Sequence, residues 1–118
     1  MTIPMTPIDE LRLVPALPEH AELWHAWRGE DASRRHNPLT LVTPEELTAR
    51  LARCGADLSQ HGPDEYRWMV AQGETLIGTV SLKDPNWVMG HGEVAYQLGA
   101  RWHGRGLGPR SVALLIAR

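Results

Sequence analysis

The stretch of sequence that decides the fold is RWHGRGLGPR at residues 101–110, where glycines alternate with other residues just before an apolar helical segment. Gly104, Gly106 and Gly108 permit a backbone path that bulky residues resist, and they let main-chain N–H groups approach a ligand. Pro109 suits the first turn of a helix, where its missing N–H costs nothing. Because a helix N-terminus stabilises anions, the stretch predicts a phosphate-binding loop.

The charge distribution supports an anionic ligand at this loop. Residues 1–93 hold all 14 acidic residues and eight of the 12 lysines and arginines, a formal charge of −6. The remainder carries Arg101, Arg105, Arg110 and Arg118, so the formal net charge of −2 conceals a polarised chain. The mildly acidic sequence has no extended basic stripe, which argues against a nucleic-acid partner. A single compact phosphate group fits better.

Length and composition indicate one domain over residues 1–118, because 118 residues with 42% hydrophobic content suffice for one modest core. Cys54 is the only cysteine, which excludes a disulfide framework and a thiolate metal cluster. The spacing of the six histidines also argues against a metal site. With no apolar run near the roughly 18 residues of a membrane span and no signal peptide, we expect a soluble cytoplasmic protein without a membrane partner.

The first half of the chain predicts a short strand and two helices. Residues 11–13 alternate as a strand that ends at Pro15, and a helix that carries Leu23, Trp24 and Trp27 runs from Pro18 to Gly29. A polar loop follows at residues 31–40. Thr43 is the expected N-cap of the second helix, with Pro44 at its first position and Glu46 three residues after the cap. Its apolar face consists of Leu47, Leu51, Cys54 and Leu58, where Cys54 is expected to be an inert core residue.

The second half predicts three strands and a helix. Residues 66–71 and 75–82 are expected to form a hairpin across Gly73 and Glu74. Residues 84–92 are rich in Pro, Asn and Gly and predict a loop, and residues 93–98 predict a third strand. The final helix begins near Pro109. It is expected to place Val112, Leu115 and Ile116 on one side.

In element order, residues 11–118 resemble the first two thirds of a GNAT-superfamily N-acetyltransferase. The family pattern Gln/Arg-x-x-Gly-x-Gly/Ala, which holds the pyrophosphate of acetyl-CoA, falls on residues 103–108, with Gly106 and Gly108 as its glycines and His103 in place of Gln or Arg. Leu98 lies five residues before His103, as the end of the pantetheine-pairing strand does in the family. GEVAYQL, followed by WHGRG, is similar to the branch that acetylates ribosomal-protein N-termini.

The resemblance implies an α/β fold with a mixed, mostly antiparallel sheet flanked by helices in the order β-α-α-β-β-β-α, and acetyl-CoA as co-substrate without a metal. Gln97 and Leu98 would pair through their backbone with the pantetheine arm. The expected phosphate-binding residues are His103, Gly104, Arg105, Gly106, Leu107, Gly108 and Arg110. A Rossmann fingerprint fails at Pro109, and the Gly-Lys-Ser/Thr of a P-loop is absent. The alternative is an ordinary glycine-rich turn that caps a helix.

Glu93 is the candidate catalytic residue, because an amine acceptor must lose a proton before it attacks the thioester. Strand alternation places Glu93, Ala95 and Gln97 on one face and Val94, Tyr96 and Leu98 on the other. The alternative is a solvated glutamate at a strand end. His91 and Tyr96 are weaker candidates, and a core position is expected for Tyr96. Trp24 and Trp27 line an acceptor pocket with His36 and Asn37 in one interpretation and pack in the core in the other.

In the family, a parallel strand, a further helix and a hairpin follow this last helix, whereas this chain stops at Arg118. The explanations are a fragment of a longer protein, a domain-swapped or two-chain assembly, and a degenerate protein without catalysis. The ending inside an apolar helix favours the first, while an open strand edge would favour a homodimer or strand-exchanged assembly.

The expected function is acetyl-CoA-dependent N-acetyl transfer to a protein N-terminus or a small amine. The alternative is a non-catalytic acyl-CoA-binding or interaction module that keeps only the pyrophosphate loop.

Overall fold

A computed structural model describes residues 11–30, 42–102 and 106–117. Its four strands form one sheet in the order β1-β2-β3-β4, in which each neighbouring pair is antiparallel. The strands are β1 (Leu11–Pro15), β2 (Glu65–Gln72), β3 (Thr75–Asn86) and β4 (His91–Leu98). The helices are α1 (Ala21–Arg28), α2 (Pro44–Arg53) and α3 (Leu107–Ile116), with single 3-10 turns at Pro18–His20 and Ala100–Trp102. The predicted fold class and element order are confirmed.

The predicted β2–β3 hairpin is confirmed, and both strands are longer than expected. Gly73, with φ of 62°, lies in the two-residue connection, where a positive φ favours glycine. The ladder pairs Gln72 with Thr75 and Trp68 with Val80, with an irregularity between Val70 and Ala71. This hairpin forms the centre of the sheet.

The loop predicted over residues 84–92 is shorter in the structure, a turn over residues 87–90, because β3 continues to Asn86 and β4 already begins at His91. The ladder shifts register between Lys83 and Asn86, and Asp84 there adopts a φ of 47°. This irregularity lets the strand pass Pro85, which cannot donate to a regular ladder. The side chain of Asn86 accepts a hydrogen bond from Met89 N at 2.9 Å, which closes the turn between the two strands.

Helix α2 begins as predicted but ends earlier than its apolar spacing suggests. Thr43 Oγ1 accepts a hydrogen bond from Glu46 N at 3.1 Å, which confirms the N-cap. Cys54 is extended and partly buried rather than part of a helical core face. The reason is that Gly55 leaves the helix to pair with β2: its N donates to Glu65 O at 2.9 Å, and its O accepts from Arg67 N at 3.0 Å. Leu58 therefore packs with a different cluster from the rest of the predicted face.

Two apolar clusters form the core, and the predicted core positions of Trp24 and Trp27 are confirmed. The first cluster joins α1 and α2 to the sheet and contains Ala16, Ala21, Trp24, Trp27, Leu47, Leu51 and Met69. The second joins α3 to the sheet and contains Tyr66, Trp68, Val70, Ile77, Val80, Leu98, Leu107 and Leu115. The sheet thus separates the layer that contains α1 and α2 from the layer that contains α3.

Helix α3 begins at Leu107, near Pro109 as predicted, because Gly106 takes the N-cap position. Two expectations about side chains near this helix need correction. Ile116 is 74% exposed, since the buried side of α3 is formed by Leu107, Ser111 and Leu115 and Ile116 lies beyond it. Tyr96 is 50% exposed rather than in the core, because β4 has a partner strand on only one side within the described residues.

None of the helices described is both long and apolar enough to cross a membrane.

Candidate functional site

The start of α3 has the backbone that the sequence predicts for an anion site. Gly106 adopts φ of 71° and ψ of 12° at the N-cap, a left-handed conformation that favours glycine. The ten-residue helix that follows directs its first N–H groups and the positive end of its dipole towards this point. His103, Gly104 and Arg105 lie outside the described residues. Their part in phosphate binding therefore stays a prediction, as does that of Arg110, which is exposed.

Gly108 holds the start of α3 against β4. A Cβ atom built on Gly108 would lie 2.3 Å from the ring of Tyr96, so no larger residue fits without moving that ring. Gly108 and Leu107 are both buried, and the Ser111 hydroxyl donates to Leu107 O at 2.7 Å. These contacts place the helix N-terminus beside the strand that the sequence assigns to the pantetheine arm.

Residues of β4 alternate between positions whose backbone N–H and C=O bond to β3 and positions whose backbone groups point away from it. Gly99 N donates to Ile77 O at 2.8 Å, and Leu98 lies opposite Gly78 in the ladder. In an antiparallel pair this makes Leu98 a non-hydrogen-bonded position, whose own N–H and C=O point away from β3. Gln97, one residue earlier, directs its backbone groups towards β3. Of the two residues predicted to pair with a ligand, Leu98 therefore has the suitable backbone orientation.

A small cleft opens on the other face of the sheet, between α1, α2 and β4, with a volume of about 90 Å³. The end of β4 is held near α1, because the side chain of Glu30 accepts a hydrogen bond from Ala100 N at 3.0 Å. Trp24 forms one wall, and Ala95 and Gln97 of β4 form another. The lining also contains Ser81, Tyr96 and four cationic residues, Arg28, Arg50, Arg67 and Lys83.

Glu65 organises the cationic residues beside this cleft. Arg50 Nε donates to Glu65 Oε1 at 2.8 Å, and Arg67 donates to Glu65 Oε2 from Nε at 2.9 Å. Arg67 Nη1 also donates to Thr79 Oγ1 at 3.0 Å, and this hydroxyl donates to Trp68 O at 2.9 Å. Arg67 is only 6% exposed. A buried guanidinium of this kind is tolerated because a carboxylate and a hydroxyl satisfy its donors.

Charge and burial oppose each other in the pKa values of this cluster. Burial on its own would raise the pKa of Glu65, but the hydrogen bond from Arg50 and the charges of Arg67 and Arg50 outweigh it and hold that pKa below its usual value. Burial, followed by repulsion from Arg50, lowers the pKa of Lys83. Burial, followed by the charge of Glu65, raises the pKa of the Cys54 thiol to about 11. Among the described residues in and beside the cleft, positive charge exceeds negative charge.

The Trp24 ring is packed among the guanidinium groups. The Cζ atoms of Arg67, Arg50 and Arg28 lie 4.1, 5.1 and 5.9 Å from its centroid. Cation–π attraction at these distances stabilises the positive charges without neutralising them. Trp24 is itself 2% exposed, so the ring is a fixed wall of the cleft.

Glu93 lies in β4 directly opposite Lys83 and is exposed. Ala95 and Gln97 line the cleft on the face that alternation predicts for Glu93, whereas Val94 faces the α3 side. Glu93 therefore lies on the face of the sheet where the cleft opens, opposite the lining residue Lys83, but it is not itself a lining residue. Its role as the base stays a prediction. The proposed companions His36 and Asn37 lie outside the described residues.

A second, apolar cleft of about 400 Å³ lies on the α3 side of β4, with Leu82, Val94, Leu115 and Ile116 in its lining. Trp87 also contributes, and its ring is stacked on His61 with centroids 3.8 Å apart. The two clefts differ in the side chains that line them. The cleft on the α3 side is mainly apolar, whereas the cleft on the side of α1 and α2 contains four cationic residues.

The charged cluster is the part of the site that sequence reasoning missed. Its signal was the alternation of Glu65 and Arg67 with Tyr66 and Trp68 in one strand, which places two opposite charges on a single face. Arg50 could not be associated with them from spacing alone, since it comes from a helix 15 residues earlier.

Within the described part of the chain, no group of three or more His, Cys, Asp or Glu residues is arranged to hold a metal ion.

Comparison with known proteins gives a family and a fold. The family model described as "Acetyltransferase (GNAT) domain" matches residues 10–118. No curated protein matches the chain in sequence at a significant level.

Solved structures with the same fold include an acetyltransferase from Thermus thermophilus, which is 19% identical with a TM-score of 0.69. A spermidine N-acetyltransferase SpeG chimera from Vibrio cholerae and hSSAT is 20% identical with a TM-score of 0.69. RimL, a ribosomal alpha-N-protein acetyltransferase in complex with coenzyme A, is 17% identical with a TM-score of 0.73. These matches cover 91%, 87% and 98% of this chain but only 68%, 58% and 65% of the respective neighbours.

Proposed function

The chain belongs to the GNAT acetyltransferase family, and we propose that it transfers an acetyl group from acetyl-CoA directly to an amine. The observation that carries this proposal is the left-handed Gly106 at the N-terminus of α3, beside the end of β4. This is the arrangement that a diphosphate needs from a protein: unpaired N–H groups at close approach and a favourable helix dipole.

The residues present fit acetyl-CoA as a co-substrate. Gly106 leaves open space where a Cβ would stand, so a phosphate oxygen has access to the backbone at the helix start. The predicted contributions of His103, Gly104 and Arg105 would add side-chain charge and further N–H donors. When bound, acetyl-CoA supplies an acetyl group activated as a thioester.

Backbone groups of β4 suit the other end of the same ligand. The N–H and C=O of Leu98 point away from β3, which is the backbone orientation that pairing with an extended amide-containing arm requires. In this proposal a main-chain N–H near the end of β4 stabilises the negative charge that develops on the thioester carbonyl oxygen. Direct transfer requires no nucleophilic side chain, which agrees with a Cys54 thiol whose pKa is raised to about 11.

The amine acceptor would approach from the opposite face of the sheet. Glu93, opposite Lys83 on the face of the charged cleft, is our proposed general base, since an ammonium group must lose a proton before it can attack. The neighbours named above include enzymes for spermidine and for a ribosomal-protein α-amino group, and both acceptors are amines. An amine acceptor of this chain is proposed on that basis.

Thermal unfolding with acetyl-CoA and with CoA tests the binding half of the proposal. A ligand at 100 times its Kd stabilises the folded state by about 2.7 kcal/mol, so a clear rise in Tm is expected with either compound. If neither compound raises the Tm, the proposed phosphate site is wrong.

Release of free CoA thiol in the presence of amines tests the reaction. We expect Glu93→Gln to slow amine-dependent thiol release about 100-fold, the lower end of the effect of a general base, while the Tm shift with acetyl-CoA is kept. Glu74→Gln, at an exposed glutamate of the β2–β3 turn, is the matched control and should retain the full rate. A Glu93→Gln variant with unchanged rates from pH 6 to 9 would exclude Glu93 as the base, whereas a Tm shift without turnover would indicate a binding module.

A further inference from the structure

The charged cleft on the side of α1 and α2 has a composition that the transfer reaction itself does not require. Among the described residues that line it, four are cationic and none is a carboxylate. Glu65, which lies behind the lining, has both oxygens engaged by Arg50 and Arg67. Lys83 makes no ion pair with any residue that the structure describes. Lys83 therefore adds a positive charge to the described lining beyond the cluster of Arg50, Arg67 and Glu65.

We propose that this cleft binds an oxyanion carried by the acceptor, a carboxylate or a phosphate close to the reacting amine. This inference rests on the proposed acetyl transfer and assigns the acceptor to a class, the acidic amines. It places the oxyanion against Lys83 and Arg50, on the same face of the sheet as Glu93.

The size of the cleft agrees with a small charged group. Its volume of about 90 Å³ exceeds the ~10–15 Å³ that a single ordered water molecule needs. A carboxymethyl or phosphate group occupies a comparable space, and the rest of the acceptor extends towards the open rim. Trp24 and Ala95 give the cleft apolar walls, in which a charge-assisted hydrogen bond is stronger than in water.

The geometry of the ladder connects the oxyanion to the amine. Lys83 and Glu93 are directly opposite each other in antiparallel strands, where Cα atoms lie about 4.5–5.5 Å apart. An acceptor whose amino group is at Glu93 and whose oxyanion is at Lys83 carries the two groups within one residue or one small molecule. An acidic residue at a peptide N-terminus satisfies this spacing, whereas a polyamine meets four cationic side chains and no carboxylate among the described lining residues.

The lowered pKa of Lys83 agrees with this assignment. Burial and the neighbouring Arg50 disfavour its charged form, and Glu65 and Glu93 offset this only in part. The groups that face Lys83 are thus two arginines and two glutamates from α2, β2 and β4. An oxyanion in the cleft restores the missing negative charge.

The test compares matched acceptors of the full chain with acetyl-CoA as the donor. Tripeptide amides that begin with Glu, Gln or phosphoserine differ in the oxyanion but share the α-amine, and spermidine provides a polycation. We expect kcat/KM about tenfold higher for an acidic peptide than for the glutaminyl peptide, since one charge-assisted hydrogen bond is worth at least about that factor. A preference for the glutamyl peptide identifies a carboxylate site, and a preference for the phosphoseryl peptide identifies a phosphate site.

Substitutions test whether Lys83 causes the preference for acidic peptides. Lys83→Gln should reduce it to about threefold or less, and Lys83→Arg should keep it. Arg53→Gln removes the same charge from an exposed position of α2 outside the cleft and should leave the preference unchanged. Circular dichroism checks that each variant is folded.

Two results would overturn the inference: equal or better rates with the glutaminyl peptide or spermidine, or a preference that survives Lys83→Gln. If no amine supports thiol release, the proposed reaction is wrong. Calorimetric titration with the same peptides then tests whether the cleft binds an oxyanion. Tighter binding of an acidic peptide that is lost in Lys83→Gln would still support it, and equal binding of all the peptides would refute it.

Discussion

The two faces of the sheet show two ways of stabilising one small fold. On the α3 face, apolar side chains such as Trp68, Leu107 and Leu115 pack together in one cluster. On the face of α1 and α2, the strand that contributes Trp68 also contributes Arg67, whose buried charge depends on Glu65. An apolar face tolerates small changes in shape, whereas a charged face depends on every partner. The stability of the charged face therefore depends on Glu65.

The largest expected effect is the loss of the carboxylate that joins the cationic residues. Glu65→Gln keeps the shape of the side chain but leaves Arg67 buried without a counter-charge. We expect a loss of about 4 kcal/mol in the free energy of unfolding at pH 7, measured by urea titration. Glu74→Gln, an exposed change of the same type, should cost less than about 0.5 kcal/mol. Similar costs for both would show that the charged face does not depend on Glu65.

The pH dependence of this difference follows from the lowered pKa of Glu65. Its unfolded pKa is about 4.3, so the folded state binds the proton less readily than the unfolded state does. The stabilising contribution is fully present above about pH 4.3 and is lost as pH falls through the folded pKa. The free-energy difference between the wild type and Glu65→Gln should be constant from pH 7 to 5 and shrink below pH 4. A difference that grows on acidification would contradict the assigned ion pairs.

On the α3 face, the loss in the free energy of unfolding caused by a substitution should depend on the apolar area it removes and not on pH. Leu107→Ala removes a side chain that is 1% exposed, and we expect it to cost about 3 kcal/mol at both pH 7 and pH 4 in urea titrations. Ile116→Ala, on the same helix but 74% exposed, is the control and should cost less than about 0.5 kcal/mol. A cost for Leu107→Ala that changes strongly with pH would remove the distinction between the two faces.

A smaller effect is expected where α3 meets β4. In Gly108→Ala, the new Cβ must displace the ring of Tyr96, and because this ring is half exposed we expect a cost of about 1 kcal/mol. The cost should largely disappear in a Tyr96→Ala background, which a double-mutant cycle of thermal unfolding measures. Gly29→Ala, where a Cβ has ordinary van der Waals clearance, is the control. Additive effects of the two substitutions would show that Gly108 and Tyr96 do not constrain each other.

The sequence predicted those parts of the molecule that depend on local chemistry. The N-cap at Thr43 and the turn at Gly73 are determined by residues within a few positions of each other, and both are confirmed. The positive φ of Gly106 likewise agrees with the glycine pattern of the predicted phosphate loop.

Features that depend on distant partners could not be predicted in the same way. Strand β3 continues past Pro85 because its register against β4 shifts at Asp84. Leu58 does not extend the apolar face of α2 because the chain pairs with β2 at Gly55. The cluster around Glu65 draws on α1, α2 and two strands, so no single window of sequence contains it. The local sequence pattern thus predicted a phosphate site. The charged cleft could not be predicted in this way, because it forms only when distant elements pack together.

The central claim is that β4 separates two substrates, with acetyl-CoA at the start of α3 and an amine at the charged cleft. Initial rates of thiol release, with both substrates varied, test it most directly in the wild type, Gly106→Ala and Lys83→Gln. We predict that Gly106→Ala raises KM for acetyl-CoA alone, because a non-glycine residue strains the left-handed N-cap. We predict that Lys83→Gln raises KM for an acidic amine alone. No amine-dependent thiol release, or both variants acting on the same KM, would contradict the account.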